Sequence, residues 1–452
     1  MILNIKLQTK LKQYGAAVCV GSVLIGMSFT WSSPVIAQLE HGNGSFNITT
    51  EEASWIGSCM AFGAAVSAVP LGYLADRFGR KKCTLVLTIP VVLFTALAYI
   101  GSNVYYIYIG RVFSGLGTGG MSAIAPRYMS EIADVKVRAS LNSLFQALIY
   151  CGSLYNAVLG KYLDYRTFTI VSNGVGLVLV MGFLFFPESP TFLMMKNDTA
   201  GAEKALRFFR HNQDNVKQEL DEILRNTETR KKTKTSFWVV CKSKAATRSL
   251  VATLGIIIFQ VLSGVDVLLY YAVSIFEMTG SNFDPFTCSI ILSSTQILST
   301  LLAVNIIERF NRKTFLYIST VGVCMSLILL GIFFQLKQLG FDSSVLNIVP
   351  MVSTILFFVF YLIGLGPIPW LMPGELYPVE IKGPASGLTI TVCWAMVFAV
   401  TKTFLLTVEA YPPQYTFYFY SFFMILCLVF TRYFMPETKG KTLQEIQDEL
   451  SR

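Results

Sequence analysis

The chain has 452 residues, of which 53% are hydrophobic and only 14% are charged. A soluble domain carries about 25% charged residues, so a fold with a fully polar surface is excluded; uncharged runs of about 18–25 residues recur instead, the length that spans a bilayer as a helix. The net charge of +9 gathers in short segments between those runs, where membrane topology accounts for it, so nucleic acid is excluded as a partner.

In chain order, the apolar runs predict helices over 14–36, 54–74, 83–101, 105–127, 140–162 and 167–187. The first run follows Lys6, Lys10 and Lys12 and contains "PVIA", so a cleaved signal peptide is its alternative reading. The loop after it, "QLEHGNGSFNITTEE", holds two glycosylation acceptors, Asn43 and Asn47, if that side is extracellular. The polar stretch 188–248 has the spacing of short amphipathic helices, with "NTETRKKTKTS" reading as a disordered linker. Six more helices are predicted over 249–277, 286–307, 314–335, 346–371, 385–406 and 415–434, then a charged tail with a short surface helix. The reading is an all-α membrane protein of twelve spanning helices in two six-helix halves. Its parts are 1–187, a cytoplasmic helical linker 188–248, 249–435 and a cytoplasmic tail 436–452. The basic loops place both termini in the cytoplasm.

The two halves repeat one another. "DRFGRK", with Asp76, Arg77 and Arg80, is echoed by "ERFNRK", with Glu308, Arg309 and Arg312. Glu131 precedes Arg138 by seven residues, as Glu375 precedes Lys382, and Glu188 in "FPESP" is answered by Glu437 in "MPETK". Internal repetition is how secondary transporters are commonly built, with the substrate site between the repeats near the midplane. Basic residues there fix topology, but the acids have no topological use, so the landmarks predict a cytoplasmic salt-bridge gate between the halves.

Polar residues inside spans mark function. Gln146, Gln260 and Gln296 each offer donors and an acceptor to a hydroxyl-rich ligand, or else bond a neighbouring helix. Gly364, Gly366, Pro367 and Pro369 interrupt the tenth span, where a gate can bend, with Trp370 following and Trp394 inside the next span. The nine cysteines stand singly without a CxxC, and His41 and His211 are the two histidines, so no metal site, disulfide framework or cofactor is expected. "SGLGTGG" lacks the lysine of a phosphate loop and reads as close helix packing; no nucleophile–base pair suggests an enzyme.

"GYLADRFGRKK", "GRVFSGLGTGG", "PRYMSEIADVKVR", "PESPTFL", "SGVDVLLYY", "ERFNRK", "GPIPWLMPGELYP" and "PETKGKT", in this order, resemble the sugar porters of the major facilitator superfamily nearly end to end. "GMSFTWSSPVI" and "VTKTF" are most similar to insect trehalose or hexose facilitators and to intracellular-type vertebrate glucose transporters. The resemblance implies the major facilitator fold, a monomer in the cell membrane, and facilitated transport of trehalose or a hexose. It makes Gln146, Gln260, Gln296 and Trp370 sugar ligands, sets Trp394 in the site's wall, and places Ser32 and Asp266 at the site. Tyr270 and Tyr271 fall among its gating residues.

Departures from the family pattern matter here. Asp266 stands where asparagine is usual, Val261 where a second glutamine is, and Cys393 where many hexose transporters have asparagine. A protonated Asp266 imitates asparagine, since it both donates and accepts; the alternative is a titrating, proton-coupled site. Similar proton symporters pair a carboxylate at the position read as Ser32 with an arginine matching Arg111. Serine cannot titrate, which favours a facilitator. The remaining alternative, a non-transporting sugar sensor, would carry a long signalling tail, whereas about eighteen residues follow the last predicted helix.

Overall fold

The structure is a computed structural model that describes residues 11–41, 46–134, 138–210, 216–232, 243–307, 311–341, 343, 346–378, 380–441 and 443–451. Six long rods come first: α1 (Leu11–Glu40), α2 (Thr50–Phe78), α3 (Arg80–Ile100), α4 (Val104–Ile132), α5 (Arg138–Tyr162) and α6 (Tyr165–Phe185). Short helices α7 (Pro190–Met195), α8 (Thr199–Phe209) and α9 (Val216–Lys232) form the linker. The seventh span is in three pieces, α10 (Lys244–Val261), α11 (Val265–Tyr270) and α12 (Ala272–Thr279). Then come α13 (Pro285–Ile307), α14 (Arg312–Gln338), a tenth span in two pieces, α15 (Val349–Ile363) and α16 (Ile368–Leu376), α17 (Lys382–Ala410), α18 (Pro413–Phe434) and the tail helix α19 (Leu443–Ser451). Among the described residues ten spans are long and apolar enough to cross a membrane; α4 and α5 have the length but are less apolar.

Three local differences from the sequence reading have clear causes. The charged phrase at 76–82 is no loop: Asp76 to Phe78 end α2, Gly79 alone turns the chain at φ +108°, and Arg80 starts α3. A left-handed residue of this kind favours glycine, and a Cβ there would also lie 2.3 Å from a Glu188 carboxylate oxygen. The seventh span, read as continuous, is broken at Gly264 (φ +80°) and again at Tyr271. Residues 226–232, read as disordered, continue α9 to Lys232.

Small residues let the rods meet backbone to backbone. At the α2–α4 crossing a Cβ on Gly115 would stand 2.0 Å from the Met60 carbonyl oxygen, so "SGLGTGG" serves close packing. Between the first six rods and the last six, α2 packs along α17 and α5 along α13, while the outer part of α1 meets α11 and α12. The linker docks on one end of the bundle, called here the linker end. Leu206 and Phe209 of α8 are buried there, and Arg210 donates to the carbonyls of Ile132 and Ala133 at the end of α4. The tail helix docks at the same end, burying Ile446 and Leu450, with Gln447 donating to the Leu376 carbonyl.

Candidate functional site

The middle of the bundle holds the polar residues singled out above. Gln260, near the end of α10, is buried, and its amide nitrogen lies 3.0 Å from the Tyr361 hydroxyl, 2.7 Å from the Leu365 carbonyl and 3.0 Å from the Gly366 carbonyl. Those carbonyls belong to the turn that separates α15 from α16, where Pro367 and Pro369 lack the N–H that would continue the helix. Ser319 of α14 holds the same turn by accepting from the Leu365 N–H at 2.9 Å. Gln260 therefore clamps the break in the tenth span, and its own carbonyl oxygen is buried without a partner among the described residues.

Gln296 of α13 is also buried with a partnerless carbonyl oxygen, beside a small cavity shared with Thr30, Leu269, Ser289 and Ser293. Trp394 of α17 is buried edge-on to Phe29, ring centroids 5.7 Å apart, and its indole N–H has no partner among the described residues. Asp266 of α11 is half-buried. Gln146 is half-buried on α5, one turn before Tyr150. Trp370 is 43% exposed on α16.

Ser32 and Arg111 depart from expectation. Ser32 is fully buried and donates to the Tyr270 carbonyl at 3.0 Å, so its O–H joins α1 to α11. Arg111 meets α1 at its backbone, where the Ser28 carbonyl accepts from the guanidinium at 2.9 Å. Arg111 is fully buried; it also donates to the Ile56 carbonyl at 3.1 Å and lies 5.2 Å from the Trp31 ring, with one nitrogen partnerless among the described residues.

At the end opposite the linker, the far end, α11 and α12 close against the first rods. Tyr270 and Tyr271 are both fully buried. Tyr271 donates to the Thr401 carbonyl at 2.9 Å and stacks on Phe404, while Tyr270 reaches the Met60 sulfur at 3.3 Å. Ser33 accepts from the Val273 N–H at 3.0 Å.

The charged landmarks lie at the linker end and repeat atom for atom. Glu188 accepts from the N–H groups of Arg80 (3.0 Å) and Lys81 (3.1 Å) at the start of α3; Glu437 accepts from those of Arg312 and Lys313 (both 3.0 Å) at the start of α14. A carboxylate at a helix N-terminus is favoured by the helix dipole. Arg80 pairs with Asp76 and Glu131, each at 2.9 Å, and Arg312 with Glu375 at 3.7 Å. Ser189 donates to Glu131 as Thr438 donates to Glu375. The pairs named here each lie within one half. Arg77 stands apart, over the Phe78 ring, and Lys382 donates to the Gly374 carbonyl at 2.7 Å. Glu308, Arg309, Asn43 and the Arg138 side chain lie outside the described residues; Asn47 is exposed ahead of α2.

Residues 14–450 match the sequence profile of the family described as "Sugar (and other) transporter". The chain is 32% identical over 435 residues to the facilitated trehalose transporter Tret1 of Bombyx mori, covering 96% of this chain and 86% of that one. It is 31% identical to the Tret1 of Polypedilum vanderplanki, again covering 96% and 86%. Against the Tret1 of Anopheles gambiae identity is also 31%, and the match spans 55% of that longer protein. Among solved structures, a partially occluded inward-open form of the xylose transporter XylE from E. coli superposes with a TM-score of 0.80 at 21% identity, covering 96% of this chain and 99% of that one.

Proposed function

Because the chain belongs to the sugar transporter family, we propose that it carries trehalose or a hexose such as glucose across the cell membrane by facilitated, alternating-access transport. The observation that carries this reading is the set of buried, partnerless hydrogen-bonding groups at mid-bundle: the Gln260 and Gln296 carbonyls and the Trp394 indole N–H. Leaving such groups unpaired costs about 1–3 kcal/mol each, and a sugar's hydroxyls, both donors and acceptors, supply the missing partners. The rods divide into halves 1–187 and 249–435, with the linker 188–248 and tail 436–452 on the cytoplasmic side. The carrier works as a monomer, and Asn47 faces the outside as a glycosylation acceptor.

Counterflow in proteoliposomes tests this: vesicles preloaded with unlabelled sugar are followed for labelled trehalose and labelled glucose at clamped pH. Transient accumulation without a proton gradient is the expected result; no accumulation of either sugar would favour a sensor, an obligate symporter or another solute. Gln260→Ala and Trp370→Ala should each lower flux at least about tenfold, since each removes roughly 1.4 kcal/mol or more of ligand contact. Unchanged flux in well-expressed protein would remove both from the site.

Facilitated transport is favoured over proton coupling because Arg111 meets the Ser28 carbonyl and not a carboxylate. Asp266 then serves as a neutral donor and acceptor in place of asparagine. Asp266→Asn should preserve counterflow at every pH between 5 and 8; loss of exchange throughout would refute the substitution.

A further inference from the structure

The sequence concentrates its charged landmarks at the linker end, yet the far end also carries cations, and two of them, Lys402 and Lys161, reach across between the halves. Lys402 lies inside α17, where a charge is costly and marks a functional position. Its ammonium donates to the Ser54 hydroxyl of α2 at 2.6 Å and lies 4.2 Å from the centre of the Trp55 ring. Ser54 in turn donates to the Glu51 carbonyl at 2.6 Å, which leaves its oxygen oriented to accept. Both contacts of the ammonium are therefore with α2.

Lys161 does the same at the second seam. From the end of α5 it donates to Thr287 of α13 at 2.6 Å and pairs with Asp284 at 2.8 Å, and Asp284 also accepts from the Thr287 N–H. At the third, His41 at the end of α1 lies 3.1 Å from Glu277 of α12, although this pair is more exposed to solvent. The α2–α17, α5–α13 and α1–α12 seams are thus each bridged from the first six rods to the last six, outside the level of Tyr270 and Tyr271.

We propose that Lys402 and Lys161 are positioning residues of the transport cycle: they hold the far end shut and set the balance between its two access states. The inference rests on the transport reading for its cycle, but not for the closure itself. Opening the far end separates α17 from α2 and α5 from α13, so both lysines lose their partners in one state only. A group that interacts in one state alone shifts the equilibrium by its full contribution. Apparent affinity for a ligand scales with the fraction of carrier open to it. Removing a lysine must therefore move the affinities measured from the two sides in opposite directions. Damage to the fold moves both the same way.

The test uses the full-length protein in orientation-sorted proteoliposomes. Lys402→Met is expected to lower the KM for sugar offered at the far end by about three- to tenfold and to raise the KM at the linker end by a similar factor. Maximal exchange should be retained. Lys402→Arg should restore both values, because a guanidinium keeps the hydrogen bond and the ring contact. Adding Lys161→Gln should enlarge the split. Unchanged KM values, a parallel rise in both, or failure of arginine to rescue would overturn the proposal. Single-molecule energy transfer between bioorthogonal labels at Asn47 and Tyr411 reads the same balance without any sugar. A larger far-end-open population in Lys402→Met supports the closure role even if the carrier proves to move another solute, and an unaltered distribution rejects it.

Discussion

Exchanging Arg80 for glutamine is expected to remove about 3–5 kcal/mol of stability, the usual cost of leaving a buried carboxylate without its cation. Arg80 is 2% exposed and holds Asp76 and Glu131 at 2.9 Å while donating to the Ala75 carbonyl at 3.2 Å. Glu131 is itself only 15% exposed, so water cannot replace the guanidinium. The repeat supplies an internal control. Arg312 is 19% exposed and 3.7 Å from Glu375, so Arg312→Gln should cost about 1 kcal/mol. Thermal unfolding of the detergent-solubilised protein, read by size-exclusion fluorescence, should show a much larger drop for Arg80→Gln than for Arg312→Gln. Adding Glu131→Gln should recover part of the loss, because it removes the stranded charge. Equal shifts for the two arginine variants would mean that burial does not set the strength of the pair.

Gly57→Val should leave a folded protein that moves sugar at least about tenfold more slowly, a barrier of roughly 1.4 kcal/mol or more. Gly57 forms a flat place on α2 against which Tyr271 seats: a Cβ there would be 2.0 Å from the tyrosine hydroxyl oxygen and 2.6 Å from its ring. The ring has no room to retreat, being fully buried, stacked on Phe404 and bonded to the Thr401 carbonyl. The added side chain therefore opposes closure of the far end and not the packing within either half. The expected signature is normal expression, slow counterflow and a far end open in the energy-transfer assay above. Counterflow at the unsubstituted rate would show that Tyr271 closure is dispensable.

Much of this was readable before any coordinates. The spans follow from run length, because only a helix satisfies its own backbone in lipid. The duplicated landmarks were visible as motifs, and Glu188 and Glu437 turn out to hold the same backbone positions in each copy. What the sequence hid depends on direction and distance. Of the expected gate, the described residues show ion pairs within each half, while Glu308, Arg309 and the Arg138 side chain lie outside the described residues. The breaks at Gly264 and Tyr271 carry no proline to announce them. Lys402 was visible as a cation inside a span, but its role depends on Ser54 and Trp55, far away in sequence.

The buried guanidinium of Arg111 also bears on how the protein is made. Arg111 sits about two turns from the start of α4, one of the two less apolar rods, and a charged side chain inside a spanning helix is costly unless it is paired. Its compensation comes from the Ser28 and Ile56 carbonyls, on the first and second rods. Both partners precede α4 in the chain and so are synthesised before it, which makes the charge of α4 one that its own earlier neighbours satisfy.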